Sequence, residues 1–124
     1  MAIETRSEVH KSYLHMLCWG SFKFKDMKDI FLKAFELAVE KNLSKILIDG
    51  MDVSGTPPTM LERYDLGEYV AQLCFKYKKP FRIVVAGKVP FVDPDRFGET
   101  VARNLGVNGR VFTDLEEAII WLKI

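Results

Sequence analysis

The sequence predicts an α/β domain built on a mixed, mostly parallel sheet of about five strands with about four helices. Two observations carry this. Four times a short apolar run is followed by an amphipathic segment, most plainly at the end, where Gly109-Arg110-Val111-Phe112 passes directly into Thr113-Asp114-Leu115-Glu116-Glu117-Ala118-Ile119-Ile120-Trp121-Leu122. Helices of this length between short strands require crossovers, hence parallel pairing, while the opening pair of strands is joined by only a tight turn and must be antiparallel.

The elements follow in order. Ile3 to Val9 interleaves Glu4, Arg6 and Glu8 with apolar or small residues, as a half-exposed edge strand does. His10-Lys11-Ser12 turns it into Tyr13 to Trp19, apolar on both faces as a central strand is. Asp26 is the expected cap of a helix whose stripe is Met27, Phe31, Ala34, Phe35 and Ala38, ending near Asn42. Lys45 to Ile48 is a short buried strand ending at Asp49-Gly50, and Gly50 to Pro58 reads as a loop. Thr59 and Glu62 form a capping box, in which each side chain accepts the other residue's backbone N–H. The helix they open carries Met60, Tyr64, Gly67, Ala71 and Cys74 on one stripe. Gly67 costs a helix about 1 kcal/mol relative to alanine, which predicts a close approach by a strand or another helix. Phe81 to Ala86 is a strand, Gly87 to Val92 a loop, and Asp93-Pro94 a cap with proline in the first turn. Phe97, Val101, Ala102 and Leu105 are expected to face inward before Gly106 ends that helix. Thr113 and Glu116 form a second expected capping box, before the inward stripe Leu115, Ala118, Ile119 and Leu122.

Composition narrows the function classes. The 124 residues are expected to form one domain, 1–124, large enough for a core without staples. No apolar run approaches the roughly 18 residues that span a bilayer, and Met1-Ala2-Ile3-Glu4 lacks the basic start and apolar core of a signal peptide. The expectation is a soluble, cytoplasmic protein that does not span a membrane. Eighteen basic residues against seventeen acidic give a net charge of +1, which supplies no field for nucleic acid. The basic-aromatic runs Phe22 to Lys25 and Phe75 to Lys79 read as solvated helix ends. Cys18 and Cys74 read as buried small hydrophobes. His10 and His15 read as core or surface filler, with no nucleophile beside them and no ligand set at metal spacing. No cofactor or metal is expected.

Three segments together resemble the SpoIIAA-like proteins of the STAS superfamily, which include anti-sigma-factor antagonists and share their fold with the lipid-binding half of SEC14-type proteins. They are Ile46-Leu47-Ile48-Asp49 leading through Val53-Ser54-Gly55, Ile83-Val84-Val85-Ala86-Gly87, and Val111 to Leu122. The resemblance implies a SpoIIAA-like (STAS) fold with an N-terminal antiparallel hairpin. The antagonists are phosphorylated in an Asp-Ser-(Ser/Thr)-Gly motif at a helix start. Here Asp52-Val53-Ser54-Gly55 is similar but is separated from the helix by Thr56, Pro57 and Pro58, and Thr59 holds the helix-start position. Ser54 and Thr59 are the candidate phosphate acceptors, Ser54 ahead because a capping hydroxyl is already engaged.

Ligands of open parallel sheets collect where strand carboxyl ends meet helix N-termini. The candidate site residues are accordingly Asp49, Asp52, Ser54 and Thr56 on one loop, Thr59 and Arg63 at the helix start, and Lys88, Phe91 and Asp93 on the next loop. Asx-turns and caps account for several of them singly. The apolar Pro90-Phe91-Val92 has no evident core to enter, and reads as a lid, a partner contact or an anchor into the core. The leading expectation is a non-enzymatic binding or regulatory module acting on a protein partner or through self-association. The alternative is a carrier of a small apolar or lipid-like ligand, gated by Phe91 and Val92, and a small anionic ligand at Thr59 and Arg63 is a further candidate. An enclosed apolar cavity favours the carrier; a filled core with a flat apolar patch favours the partner module.

Overall fold

The computed structural model describes residues 3–124; Met1 and Ala2, part of the expected leaderless start, lie outside the described residues. The order is β1 (Glu4–Val9), β2 (Leu14–Ser21), α1 (Phe24–Glu40), β3 (Lys45–Ser54), α2 (Met60–Tyr77), β4 (Arg82–Gly87), α3 (Phe97–Asn104), β5 (Asn108–Phe112) and α4 (Leu115–Lys123). The sheet runs β1-β2-β3-β4-β5, with β1 antiparallel to β2 and every later pairing parallel. The predicted fold class is therefore the observed one. Among the described residues no helix is long and apolar enough to cross a membrane.

Strands laid down in sequence order by crossovers of one hand place every crossover helix on the same side of the sheet. Accordingly α1, α2 and α3 share one face, where Met27, Phe31, Phe35, Val70, Leu73 and Ala102 pack on Leu14, Met16, Ile46, Ile48 and Ile83. Phe35 is fully buried and meets Phe81 edge-on, ring centroids 4.7 Å apart. After β5 the chain has only the opposite face left to cover. There α4 sets Ala118 and Leu122 on Leu47, Val84 and Ala86, with Trp121 half-buried beside them.

Several local expectations are corrected. β3 continues past Asp49 to Ser54, because a bulge keeps it paired with β2: Leu17 faces Asp49 and Trp19 faces Asp52. The expected loop from Gly50 thus shrinks to the turn opened by Gly55, whose φ of +93° suits glycine. The N-cap of α1 is Lys23, and Asp26 sits in the first turn, where its carboxylate accepts the Ile3 N–H. The buried stripe of α2 is Gly67, Val70 and Leu73; Met60 and Tyr64 face solvent. Arg96, not Asp93-Pro94, precedes α3, and Leu105 lies beyond its end and exposed. The box on Thr59 and Glu62 forms as expected, whereas α4 is capped by Asp114, whose carboxylate accepts the Glu116 N–H.

Candidate functional site

Gly67 lets α2 and α3 meet backbone to backbone: a Cβ there would lie 2.9 Å from the Gly98 carbonyl oxygen and 3.1 Å from the Val101 side chain. The close approach predicted from sequence is thus a helix contact. Beside it the two helices and the sheet leave a cleft of about 170 Å³, lined by Met27, Ile48, Val70, Val85, Ala102 and Val107 among others. A cavity of roughly 150 Å³ suffices for a benzene ring, so this cleft has room for a single ring or a short alkyl chain.

Phe91, Val92 and Asp93 line one part of the cleft. The Arg63 guanidinium donates to the carbonyls of Phe91 at 2.9 Å and Pro90 at 2.7 Å, fastening this segment to the first turn of α2. Phe91 is half-buried with its ring 6.3 Å from that of Phe22, and Val92 is buried with its methyl toward Gly87. Asp93 accepts N–H bonds from Phe97 and Asp95, which hold its carboxyl below the usual carboxylate range, the Phe97 bond counting most. Arg63, Phe91 and Asp93 all border the cleft.

The other predicted residues divide. Asp52, Ser54 and Lys88 line a shallow surface depression with Phe91 on its rim. Ser54 donates a long hydrogen bond of 3.3 Å to the Gly20 carbonyl, and Thr56 is exposed in the turn. Thr59 is committed to its box, accepting from the Glu62 N–H at 3.1 Å while Glu62 accepts the Thr59 N–H at 2.9 Å. Asp49 leaves the group altogether. It is buried on the α4 side of the sheet, where one carboxylate oxygen meets His15 Nε2 at 2.8 Å and the other accepts the Met51 N–H.

The polar group around His15 is what sequence reasoning missed. Glu8 pairs with His15 across the hairpin, placing its carboxylate 3.9 Å from His15 Nδ1 and 3.6 Å from His10 Nε2. His10 stacks on Tyr13 with centroids 4.5 Å apart and planes 11° from parallel. Glu8, His10 and His15 are accordingly the described residues that bring metal-ligating atoms together, all within 4.8 Å of one another. The signal was present in the hairpin: counting outward from the turn, Val9 faces Leu14 and Glu8 faces His15. Of the two thiols, Cys18 is buried as expected and Cys74 is only half-buried. Burial, and then the charge of Asp49, pushes Cys18 up to about 12, and burial alone pushes Cys74 up to about 11, so neither ionises near neutrality.

No family model and no curated protein matches the chain. Among solved structures, an anti-sigma factor antagonist from Mycobacterium paratuberculosis superposes with a TM-score of 0.66 at 14% identity, over 99% of this chain and 96% of that one. An uncharacterised protein of the DUF3478 family with a SpoIIAA-like fold, from Shewanella loihica PV-4, gives 0.55 at 20% identity over 98% and 94%. The present chain has the same SpoIIAA-like, or STAS, fold.

Proposed function

We propose that the chain is a non-enzymatic binding module that takes a small apolar ligand, about the size of one aromatic ring, into the cleft between the sheet and helices α2 and α3. The carrying observation is the cleft itself, apolar along its walls and sized for such a guest. Phe91, on the segment that Arg63 fastens, is part of its lining. Asp49, turned to the other face and held by His15, is not available as a base in this cleft.

A second reading, a regulatory module that docks on a protein partner, draws on a different observation. Met60, Leu61 and Tyr64 stand exposed on the first turns of α2, close to the Ser54 turn, and one structure of this fold is an anti-sigma factor antagonist. In that reading Ser54 is the hydroxyl a kinase would reach, because the Thr59 oxygen is engaged in its cap.

The test of the leading reading is titration of the isotope-labelled chain with benzene, followed by amide chemical shifts. Saturable shifts are expected at Gly67, Val70, Val85 and Ala102, and Val70→Phe, which fills the space, is expected to abolish them. Changes that do not saturate, or that survive Val70→Phe, would remove the carrier reading.

A further inference from the structure

We infer that Glu8, His10 and His15 form a binding site for a divalent transition-metal ion of the Zn²⁺ class, on the α4 side of the sheet at the closed end of the β1-β2 hairpin. The site lies on the face opposite the apolar cleft and is independent of its occupant. Two imidazoles and a carboxylate are a ligand set that suits Zn²⁺, with a fourth position left for water or an exogenous ligand atom.

Each ligand is held from behind. The buried Asp49 carboxylate lies 2.8 Å from His15 Nε2, so a neutral His15 donates its proton there and turns the lone pair of Nδ1 toward Glu8. A carboxylate behind a ligating histidine is the usual outer-shell partner in such sites. Glu8 is oriented the same way. One of its oxygens accepts from the Arg6 guanidinium at 2.7 Å, which leaves the other, Oε1, facing both histidines. His10 is fixed by its stack on Tyr13, and its backbone N–H donates to the Tyr13 carbonyl at 2.9 Å to close the hairpin. Three ligands of two types, one carboxylate and two imidazoles, thus each have a separate support.

The spacing is near what a metal needs. Ligand bonds of about 2.0 to 2.2 Å put tetrahedral ligand atoms roughly 3.3 to 3.5 Å apart. Here Glu8 Oε1 lies 3.6 Å from His10 Nε2 and 3.9 Å from His15 Nδ1, with every pair within 4.8 Å. The 3.9 Å separation is too long for a hydrogen bond, so Glu8 and His15 stand apart by the gap that a shared cation closes. His10 lies at the exposed turn with its ring stacked on Tyr13 and its Nε2 already 3.6 Å from Glu8 Oε1.

The experiment uses the full untagged chain, freed of metal with a chelator and titrated with Co²⁺. The visible d–d bands report coordination, and Zn²⁺ competition reports affinity. One Co²⁺ per chain is expected, displaced by one Zn²⁺, with affinity falling on acidification because protons compete for the imidazoles. His10→Ala and Glu8→Gln change exposed or half-exposed side chains and should each weaken binding at least tenfold with an unchanged circular dichroism spectrum. Asp49→Asn should weaken it about 10- to 100-fold without removing a ligand. Absence of the Co²⁺ bands in the wild-type chain, or equal affinity in His10→Ala and wild type, would overturn the site.

Discussion

The face of the sheet under α1, α2 and α3 is apolar from Leu14 to Ile83 and still leaves a cleft, whereas the face under α4 is covered only in part and carries the buried pair His15 and Asp49. The same strands build both, since alternate residues point to opposite sides. Leu14, Met16, Ile46 and Ile48 go one way; Tyr13, His15, Leu47 and Asp49 go the other. Three helices exclude water from the first face, where a charge without a partner would cost several kcal/mol. One short helix leaves the β1-β2 side of the second face open, so Glu8 and His10 remain wet and a buried histidine can be paired through them to the surface. Under full cover the sequence has been driven toward apolar surface and shape, and under partial cover it has room for polar chemistry.

The largest expected effects probe how firmly each face is packed. Phe35, without exposure on the three-helix face, should cost about 3 to 5 kcal/mol when changed to alanine. Leu122, equally buried under α4, should cost about 2 to 5 kcal/mol and fall below Phe35, because its side chain is smaller and a nine-residue helix can settle into the space. Urea denaturation of both variants checks this. A greater loss from Leu122→Ala would mean that the partly covered face is the more rigid of the two.

A smaller effect concerns the cleft. In an isolated helix Gly67→Ala would gain about 1 kcal/mol. Here the new methyl meets the Gly98 carbonyl oxygen at 2.9 Å, a backbone atom that cannot rotate away, and such overpacking costs about 1 to 3 kcal/mol. The net expectation is a lower melting temperature together with weaker benzene binding, since Gly67 and Gly98 both border the cleft. A rise in melting temperature would show that α2 and α3 slide apart freely, and the cleft would then be no fixed feature of the apolar face.

The strand and helix order was legible because periodicity is local: Phe31, Phe35 and Ala38, or Leu47 between Ile46 and Ile48, declare their faces without knowledge of any partner. Gly67 was legible for the same reason, as a residue whose helix cost demands a contact. The site was less so. Arg63, Phe91 and Asp93 line one cleft, whereas Asp49, which the sequence places on a loop because Gly50 reads as a terminator, stays in β3, carried onward by the bulge opposite Cys18. His15 and Asp49 are 34 residues apart, and their contact depends on the β2-β3 register, which no local pattern states. Glu8 and His15 differ in kind: a hairpin fixes its own register, so that pairing was within reach of the sequence.

The smallest effect separates the caps of the two faces. α2 begins with a reciprocal box, so Thr59→Ala should cost about 1 kcal/mol, and the double variant with Glu62→Ala should lose less than the sum of the singles. In α4 the cap expected from sequence is Thr113, and the structure uses the next residue instead: the Asp114 carboxylate accepts the Glu116 N–H at 3.3 Å and its carbonyl accepts the Ala118 N–H at 3.1 Å. Asp114→Ala should therefore cost about 0.5 to 1 kcal/mol, part of it from loss of a negative charge at a helix N-terminus, and that part should shrink with added salt. Thr113→Ala should stay within about 0.5 kcal/mol of wild type, as an exposed substitution outside the helix does. Guanidinium curves are unsuited to the salt comparison, so thermal unfolding at low and high sodium chloride is the measurement. A loss at Thr113 that matches the one at Thr59 would mean that α4 is entered one residue earlier, through its own reciprocal box, and that the two faces are capped alike.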